Sequence, residues 1–452
     1  MKLKASHIIQ IWSLGIILAM LLFNIQPVLE NMPWFQFTIG CNTFIFFLEL
    51  YLDIRQSFTL RQYNDPNAIW TETKYHIQNI LGLLNFSRTE STIGFIMECF
   101  VLHFGILVQI YQLNSFIWER LGFDSTFEIT RGIGYLFLIS LSSSLIRLPF
   151  EMYRIYIDQS PNISTTTTIK QTILDQIKMF VISLFIGIPM LTITLSLFYW
   201  QLPYQWFTIC IFVSSVALLF SDMYPRIAFL FNSFSVLEEG ELRSEIIQLS
   251  KKLNFPLQEI YTMDGSKRVA HSNAFLMGFW NSSFVLYDNL IKQLSTPEIL
   301  AIIGHEIGHH KFKHTWKHLL IQLVFVSNFI YLFSGVVNLP IFYNSFGFSR
   351  IDVSVGLILF SYLYSTFANL LRFVTNLIQR EFEFAADAYA IENGLDMKNA
   401  LHSMHSTSSS VYIRPDKYFS IYYYTHPTLM ERLDSIELLR EEKINLQNKK
   451  VQ

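Results

Sequence analysis

Residues 297–318 read PEILAIIGHEIGHHKFKHTWKH, an apolar helical pattern that becomes rich in histidine and leads into an apolar run at 318–339. Thr296-Pro297-Glu298 is a capping-type start, since Pro suits the first helical turn and a Glu there meets unpaired backbone N–H groups. The spacing predicts a helix over 297–318. Inside it stands His305-Glu306-Ile307-Gly308-His309. Residues four apart share a helix face, about 6 Å apart along the axis, so both imidazoles can reach one Zn²⁺ while Glu306 points at its water. His310, His314 and His318 repeat every four residues on the adjoining stripe and read as solvated or packed helix positions near the membrane, not as a second metal site.

Outward from this helix the chain is apolar. Of 452 residues, 51% are hydrophobic and only 15% charged, which excludes most soluble classes, and 18 Gly with 13 Pro exclude a collagen-like or linker chain. With 33 basic and 35 acidic residues there is no global field to attract nucleic acid. Cys41, Cys99 and Cys210 sit in apolar runs and read as small buried hydrophobes. Runs of the roughly 20 residues that span a bilayer fall near 8–29, 35–53, 91–112, 132–150, 178–200, 204–224, 318–339 and 354–378. Glu49, Glu98, His103 and Arg372 lie within them and are expected to face protein or water.

Basic residues alternate between the connecting segments, which predicts cytosolic termini and cytosolic 226–317 and 379–452 segments. Nineteen of the 33 Lys and Arg fall in those two segments. Residues 8–29 form either an extra span or a signal peptide; the retained span is preferred, because no small-residue cleavage site follows Phe23. The partition expected is 1–30 as that extra span or signal, 31–225 transmembrane, 226–317 carrying the metal-binding helix, 318–378 as two further spans, and 379–452 completing the cytosolic part.

A catalytic zinc site needs a third protein ligand and an open position. Arg380-Glu381-Phe382-Glu383-Phe384-Ala385-Ala386-Asp387 supplies it on a helix continuing the last span. Glu383 can bind metal while Asp387, one turn on, hydrogen-bonds a ligand imidazole. Glu381 competes as a ligand but faces about 200° away from Glu383. Upstream, Glu241–Leu253 is helical, Glu259–Thr262 is β-like, and Asn273–Trp280 with Ser283–Tyr287 make a hairpin.

Several motifs then occur in order: Gly265-Ser266-Lys267-Arg268, His271-Ser272-Asn273-Ala274-Phe275, the HEIGH pentad, Glu383-Phe384-Ala385-Ala386-Asp387, and Thr425-His426-Pro427 with Glu431-Arg432-Leu433. Upstream stand Tyr51-Leu52-Asp53-Ile54-Arg55-Gln56, Leu148-Pro149-Phe150 with Tyr153, and Glu238-Glu239-Gly240-Glu241-Leu242. Together they resemble the type I CAAX prenyl protease family over about residues 36–440. The resemblance implies an all-α polytopic membrane protein, a seven-helix transmembrane barrel around a hollow chamber, with a cytosolic α+β zinc-metalloprotease domain of gluzincin type. The first apolar run departs from that pattern. The implied activity is removal of the last three residues from prenylated CAAX proteins at the endoplasmic reticulum membrane.

In that reading one Zn²⁺ per chain is held by His305, His309 and Glu383, and Glu306 takes the water's proton and hands it to the leaving amine. His426 is the candidate for stabilising the oxyanion. The resemblance places Asp387 and Arg432 behind the ligands, with Asp387 orienting an imidazole. Asn273, Ala274 and Phe275, in the strand running to Met277, can pair with an extended substrate. The partners implied are prenylated CAAX proteins and membrane lipid, with oligomeric state open. Lys449-Lys450-Val451-Gln452 resembles a dilysine retrieval signal, with a merely basic tail as the alternative. Rival readings are a membrane quality-control zinc protease, disfavoured by the six apolar runs before Gly240, and a non-catalytic scaffold or translocon-clearing factor, disfavoured by the intact pentad and Glu383.

Overall fold

A computed structural model of the protein describes residues 32–61, 128–141, 169–200, 202–267, 272–278, 282–405 and 414–451. The apolar runs at 8–29 and 91–112, Cys99, Glu98, His103, the 148–153 motif, Arg268 and His271 lie outside the described residues. The N-terminal part contains helices α1 (Trp34–Arg61), α2 (128–141), α3 (Ile169–Ile182), α4 (Ile188–Tyr199) and α5 (Gln205–Ala228). A π-helical turn, Ser183–Gly187, joins α3 to α4. Among the described residues four helical stretches are long and apolar enough to cross a membrane: Trp34–Gln56, Ile173–Tyr199, His314–Val336 and Val353–Glu392, with Gln205–Ser221 a shorter apolar one. Their faces expose Phe44, Phe47, Phe185 and Leu219, as expected of side chains that meet lipid.

After α5 comes the part that holds the site. It contains β1 (Phe234–Val236), α6 (Glu241–Lys252), β2 (Leu257–Met263), β3 (Ala274–Met277), β4 (Ser282–Tyr287), α7 (Asp288–Gln293) and α8 (Thr296–Lys311). The sheet order is β1-β2-β4-β3. β2 and β4 are parallel, while β3 pairs antiparallel with β4, Phe275 opposite Val285. The expected antiparallel pairing is therefore present, and among the described residues β3 is an edge strand. β1 was not anticipated: three residues are too short to show an alternation.

The chain returns to apolar helices with α9 (His314–Val336), the short α10 (Pro340–Ser345) and α11 (Val353–Glu392), then closes with α12 (Met397–His405), α13 (Lys417–Tyr423) and α14 (Leu429–Val451). α11 has 40 residues. At 1.5 Å per residue that is roughly 60 Å, about twice the hydrocarbon thickness of a bilayer. Its second half therefore projects beyond the apolar layer and delivers Glu383 and Asp387 to α8. Glu49 and Arg372 of α1 and α11 pair at 3.2 Å, and the Tyr422 hydroxyl donates to Glu49 at 3.1 Å. These two span residues thus pair across α1 and α11, with half of the Arg372 side chain still exposed. Beside them an apolar cavity of about 710 Å³ opens between α1 and α11.

One expectation needs correction. Residues 297–318 do not form one helix: α8 stops at Lys311 and α9 restarts at His314. Lys313 adopts a left-handed backbone, φ 56°, which turns the chain out of the helix axis. No Gly or Pro marks the break, so residue pattern could not reveal it. His310 is consequently exposed, with its ring edge against Phe255 at 4.9 Å, while His314 is buried, and the regular stripe does not exist.

Buried residues from segments 226–317 and 379–452 share one apolar cluster, including Ile246, Phe284, Ile302 and Ile303 from the first and Leu401, Leu433 and Ile436 from the second. Each fully buried Leu or Ile contributes about 1.5–3 kcal/mol. This shared core fixes the two halves of the site to each other.

Candidate active site

The site begins with how α8 starts. Glu298 accepts hydrogen bonds from the Ser295 N–H at 2.8 Å and its hydroxyl at 2.7 Å, and it also accepts from Ser403 of α12. The helix start is thereby tied to the segment following α11. Farther along, α8 presses against α11 at Gly308. A Cβ on Gly308 would lie 3.1 Å from the Ala386 Cα and 3.2 Å from its carbonyl oxygen. Glycine allows this close approach, since any side chain there would press the Ala386 backbone back by a few tenths of an ångström. Ala386 lies between Glu383 and Asp387, so the contact brings both carboxylates to the histidines.

The resulting triangle is tight. His305 Nε2 and His309 Nε2 are 3.0 Å apart, His305 Nε2 is 3.4 Å from Glu383 Oε2, and His309 Nε2 is 3.3 Å from Glu383 Oε1. Ligand atoms about 2.1 Å from a tetrahedral zinc lie roughly 3.4 Å from one another, so the residues fit such an ion. Two imidazoles with one carboxylate are also a donor set used by catalytic zinc. Among the described residues this is the one group of His, Cys, Asp or Glu so arranged. Glu381 is exposed on α11 and takes no part.

Behind the triangle, Asp387 Oδ1 lies 2.8 Å from His305 Nδ1. Arg432 of α14 clasps the same carboxylate, Nε to Oδ2 at 2.8 Å and Nη2 to Oδ1 at 2.5 Å. All three side chains are buried. Burial alone would lower the His305 pKa, but hydrogen bonds to Asp387 and Glu383 outweigh it and hold it at about 9. Glu306, half-buried, is pushed above the usual carboxylate range by desolvation, against the neighbouring imidazoles. A carboxylate so placed accepts a proton more readily than an exposed glutamate.

A cavity of about 280 Å³ unites these groups: His305, Glu306, His309 and Glu383 line it together with Asn273, Ala274, Phe275, His426 and Arg432. Every sequence-predicted site residue except Asp387 thus borders one space, and Asp387 braces it from behind. The His426 imidazole is exposed, with Nε2 3.4 Å from Glu383 Oε1. Lys267 is absent from the cavity and pairs with Asp264 at 2.8 Å. Met397, Leu401 and Met404 of α12 form a further wall; their i, i+4, i+7 spacing was the signal available in the sequence.

Comparison with known proteins gives the chain's family. A family model described as peptidase family M48 matches residues 236–440. Another, described as the CAAX prenyl protease N-terminal region with five membrane helices, matches residues 59–233. A CAAX prenyl protease 1 homolog of Arabidopsis thaliana is 32% identical over 416 residues, covering 90% of this chain and 98% of that one. The chain belongs to the CAAX prenyl protease family. It is a metalloendopeptidase and a multi-pass membrane protein. The CAAX prenyl protease 1 of Saccharomyces cerevisiae is 29% identical over 457 residues, with 94% and 100% of the two chains covered. The crystal structure of S. mikatae Ste24p superposes on this chain with a TM-score of 0.81 at 28% identity, covering 90% of this chain and 99% of that one. The fold is accordingly Ste24-like: several apolar helices carrying an M48 peptidase unit.

Proposed function

We propose that the protein is a zinc endopeptidase that removes the C-terminal tripeptide from prenylated CAAX proteins. The observation that carries this reading is the triangle of His305, His309 and Glu383 on the floor of a cavity bordered by the edge strand β3. The relatives, CAAX prenyl proteases, supply the substrate class. The site faces the cytosol in this proposal, at the endoplasmic reticulum membrane, with seven helices surrounding a chamber; the basic content of 226–317 and 379–452 supports that orientation.

His305, His309 and Glu383 would hold the Zn²⁺, which when bound would supply Lewis acidity toward water and the scissile carbonyl. Glu306 removes the proton from the attacking water and delivers it to the leaving amine nitrogen. His426 donates from Nε2 to the oxygen on which negative charge develops. Asp387, held by Arg432, accepts from His305 Nδ1–H and so leaves the Nε2 lone pair free to ligate. Asn273 to Phe275 align the peptide by adding it as a strand along the free edge of β3.

Purified protein given a farnesylated CAAX peptide is expected to release the terminal tripeptide. Glu306→Gln lowers the rate about 10²–10⁴-fold. No release by the wild-type enzyme, or unchanged release by the variant, overturns the proposal.

A further inference from the structure

The two ring nitrogens of His309 have different neighbours. Nε2 faces His305 and Glu383 in the metal triangle, whereas Nδ1 lies 2.8 Å from Nδ1 of His314. His305 has a carboxylate behind it; His309 has a second imidazole. We propose that His314 is the positioning residue of His309, accepting the His309 Nδ1–H and thereby presenting the Nε2 lone pair to the metal. This inference rests on the zinc site proposed above.

Proton count selects the direction of the hydrogen bond. Two nitrogens at 2.8 Å share one proton. If His314 donated it, neutral His309 would carry its own proton on Nε2 and could not ligate through that atom. Only donation by His309 is compatible with metal binding, and it leaves His314 as the Nε2–H tautomer.

Two further features hold His314 in this role. Its ring lies flat on Phe382, centroids 4.0 Å apart and planes 7° from parallel. Phe382 adjoins Glu383 on α11, so neighbouring residues fix the third ligand and the support of the second. The backbone break gives an independent indication. In a continuous helix residue 314 would stand about 140° around the axis from residue 309, facing away from its imidazole. The left-handed Lys313, at φ 56°, instead restarts the chain with His314 directed at His309. A lysine is strained in that region, and strain of this kind is retained where the surrounding structure imposes it.

The test uses the full-length protein in detergent and compares His314→Asn, whose Oδ1 can accept where Nδ1 does, with His314→Leu and His314→Gln, which offer no acceptor at that position. Zn²⁺ affinity is measured by competition with a chromophoric chelator, and ligand geometry by the visible spectrum of the Co²⁺ form. Melting of the metal-free proteins reports folding. Leu and Gln are expected to weaken Zn²⁺ binding by about 10–100-fold and shift the Co²⁺ bands, with melting unchanged, while Asn stays within a few-fold of wild type. Should Leu fail to fold, the polar Gln variant carries the comparison with Asn. Wild-type affinity in Leu or Gln, or an Asn variant no better than they are, overturns the assignment. Zn²⁺ binding that survives His305→Ala sinks the zinc site itself, a separate result of the same titration.

Discussion

Asp387 reaches His305 Nδ1 at 2.8 Å from one helical turn beyond Glu383, so α11 supplies a metal-ligand candidate and the brace of another from the same face. Arg432 compensates the charge of this buried carboxylate. Asp387→Asn keeps an acceptor at Oδ1 but removes the charge, leaving a buried guanidinium with a weaker partner. Zn²⁺ affinity is expected to fall by about 10–100-fold. Chelator competition checks this, and an unchanged dissociation constant would show that Asp387 does not tune the imidazole.

Gly308 sets the distance between α8 and α11 by meeting the Ala386 backbone. Gly308→Val forces the helices apart, at about 1–3 kcal/mol of overpacking, and widens the triangle of His305, His309 and Glu383. Both the melting temperature and Zn²⁺ affinity are expected to drop. Wild-type values for both would mean that the helices separate without disturbing the site.

The candidate metal triangle and its brace were legible because they obey helical periodicity: His305 with His309, and Glu383 with Asp387, are each four residues apart. Such pairs announce their shared face without tertiary information. The β3–β4 pairing was legible for the analogous reason in strands. What escaped lay in the backbone and in long-range packing. Lys313 breaks the helix where no adjoining Gly or Pro marks an end, and His314 meets His309 only because of that break. Likewise, the α12 wall of the cavity shows merely an amphipathic pattern in sequence, with nothing to say that its apolar face borders the cavity of the candidate site.

Arg380 fastens the loop that carries His426. It donates to Glu431 at 2.6 Å, to the Ser420 hydroxyl at 3.2 Å and to the His426 carbonyl at 3.4 Å, while Glu431 accepts the Thr428 N–H at 2.8 Å. Arg380→Met is expected to cost about 2 kcal/mol, less than a fully buried pair because Glu431 is partly exposed, and to lower activity with Zn²⁺ affinity retained. Desolvation works to raise the Glu431 pKa, but the Thr428 N–H and Arg380 outweigh it and depress it. The stability it contributes is therefore fully present above its unfolded value, about 4.3, and is lost as pH falls through the lower folded value. Melting curves of wild type and Arg380→Met should differ by a constant amount above that pH and converge below it. A difference that grows on acidification would contradict the ion pair.

The free edge of β3 makes the most specific statement about substrate. Along an extended peptide paired with an edge strand, alternate residues turn their N–H groups toward the protein and the rest turn them away. N-methylation of successive amides around the scissile bond should therefore lower kcat/KM in a two-residue rhythm. Each lost hydrogen bond is worth about 0.5–1.5 kcal/mol, a change of roughly two- to thirteen-fold. Steric obstruction alone would instead give a loss that grows smoothly toward the scissile bond, and a peptide held only by its prenyl group would show none. Kinetics on a series of singly methylated prenyl peptides distinguish the three, and either of the latter patterns would remove Asn273, Ala274 and Phe275 from the substrate-binding assignment.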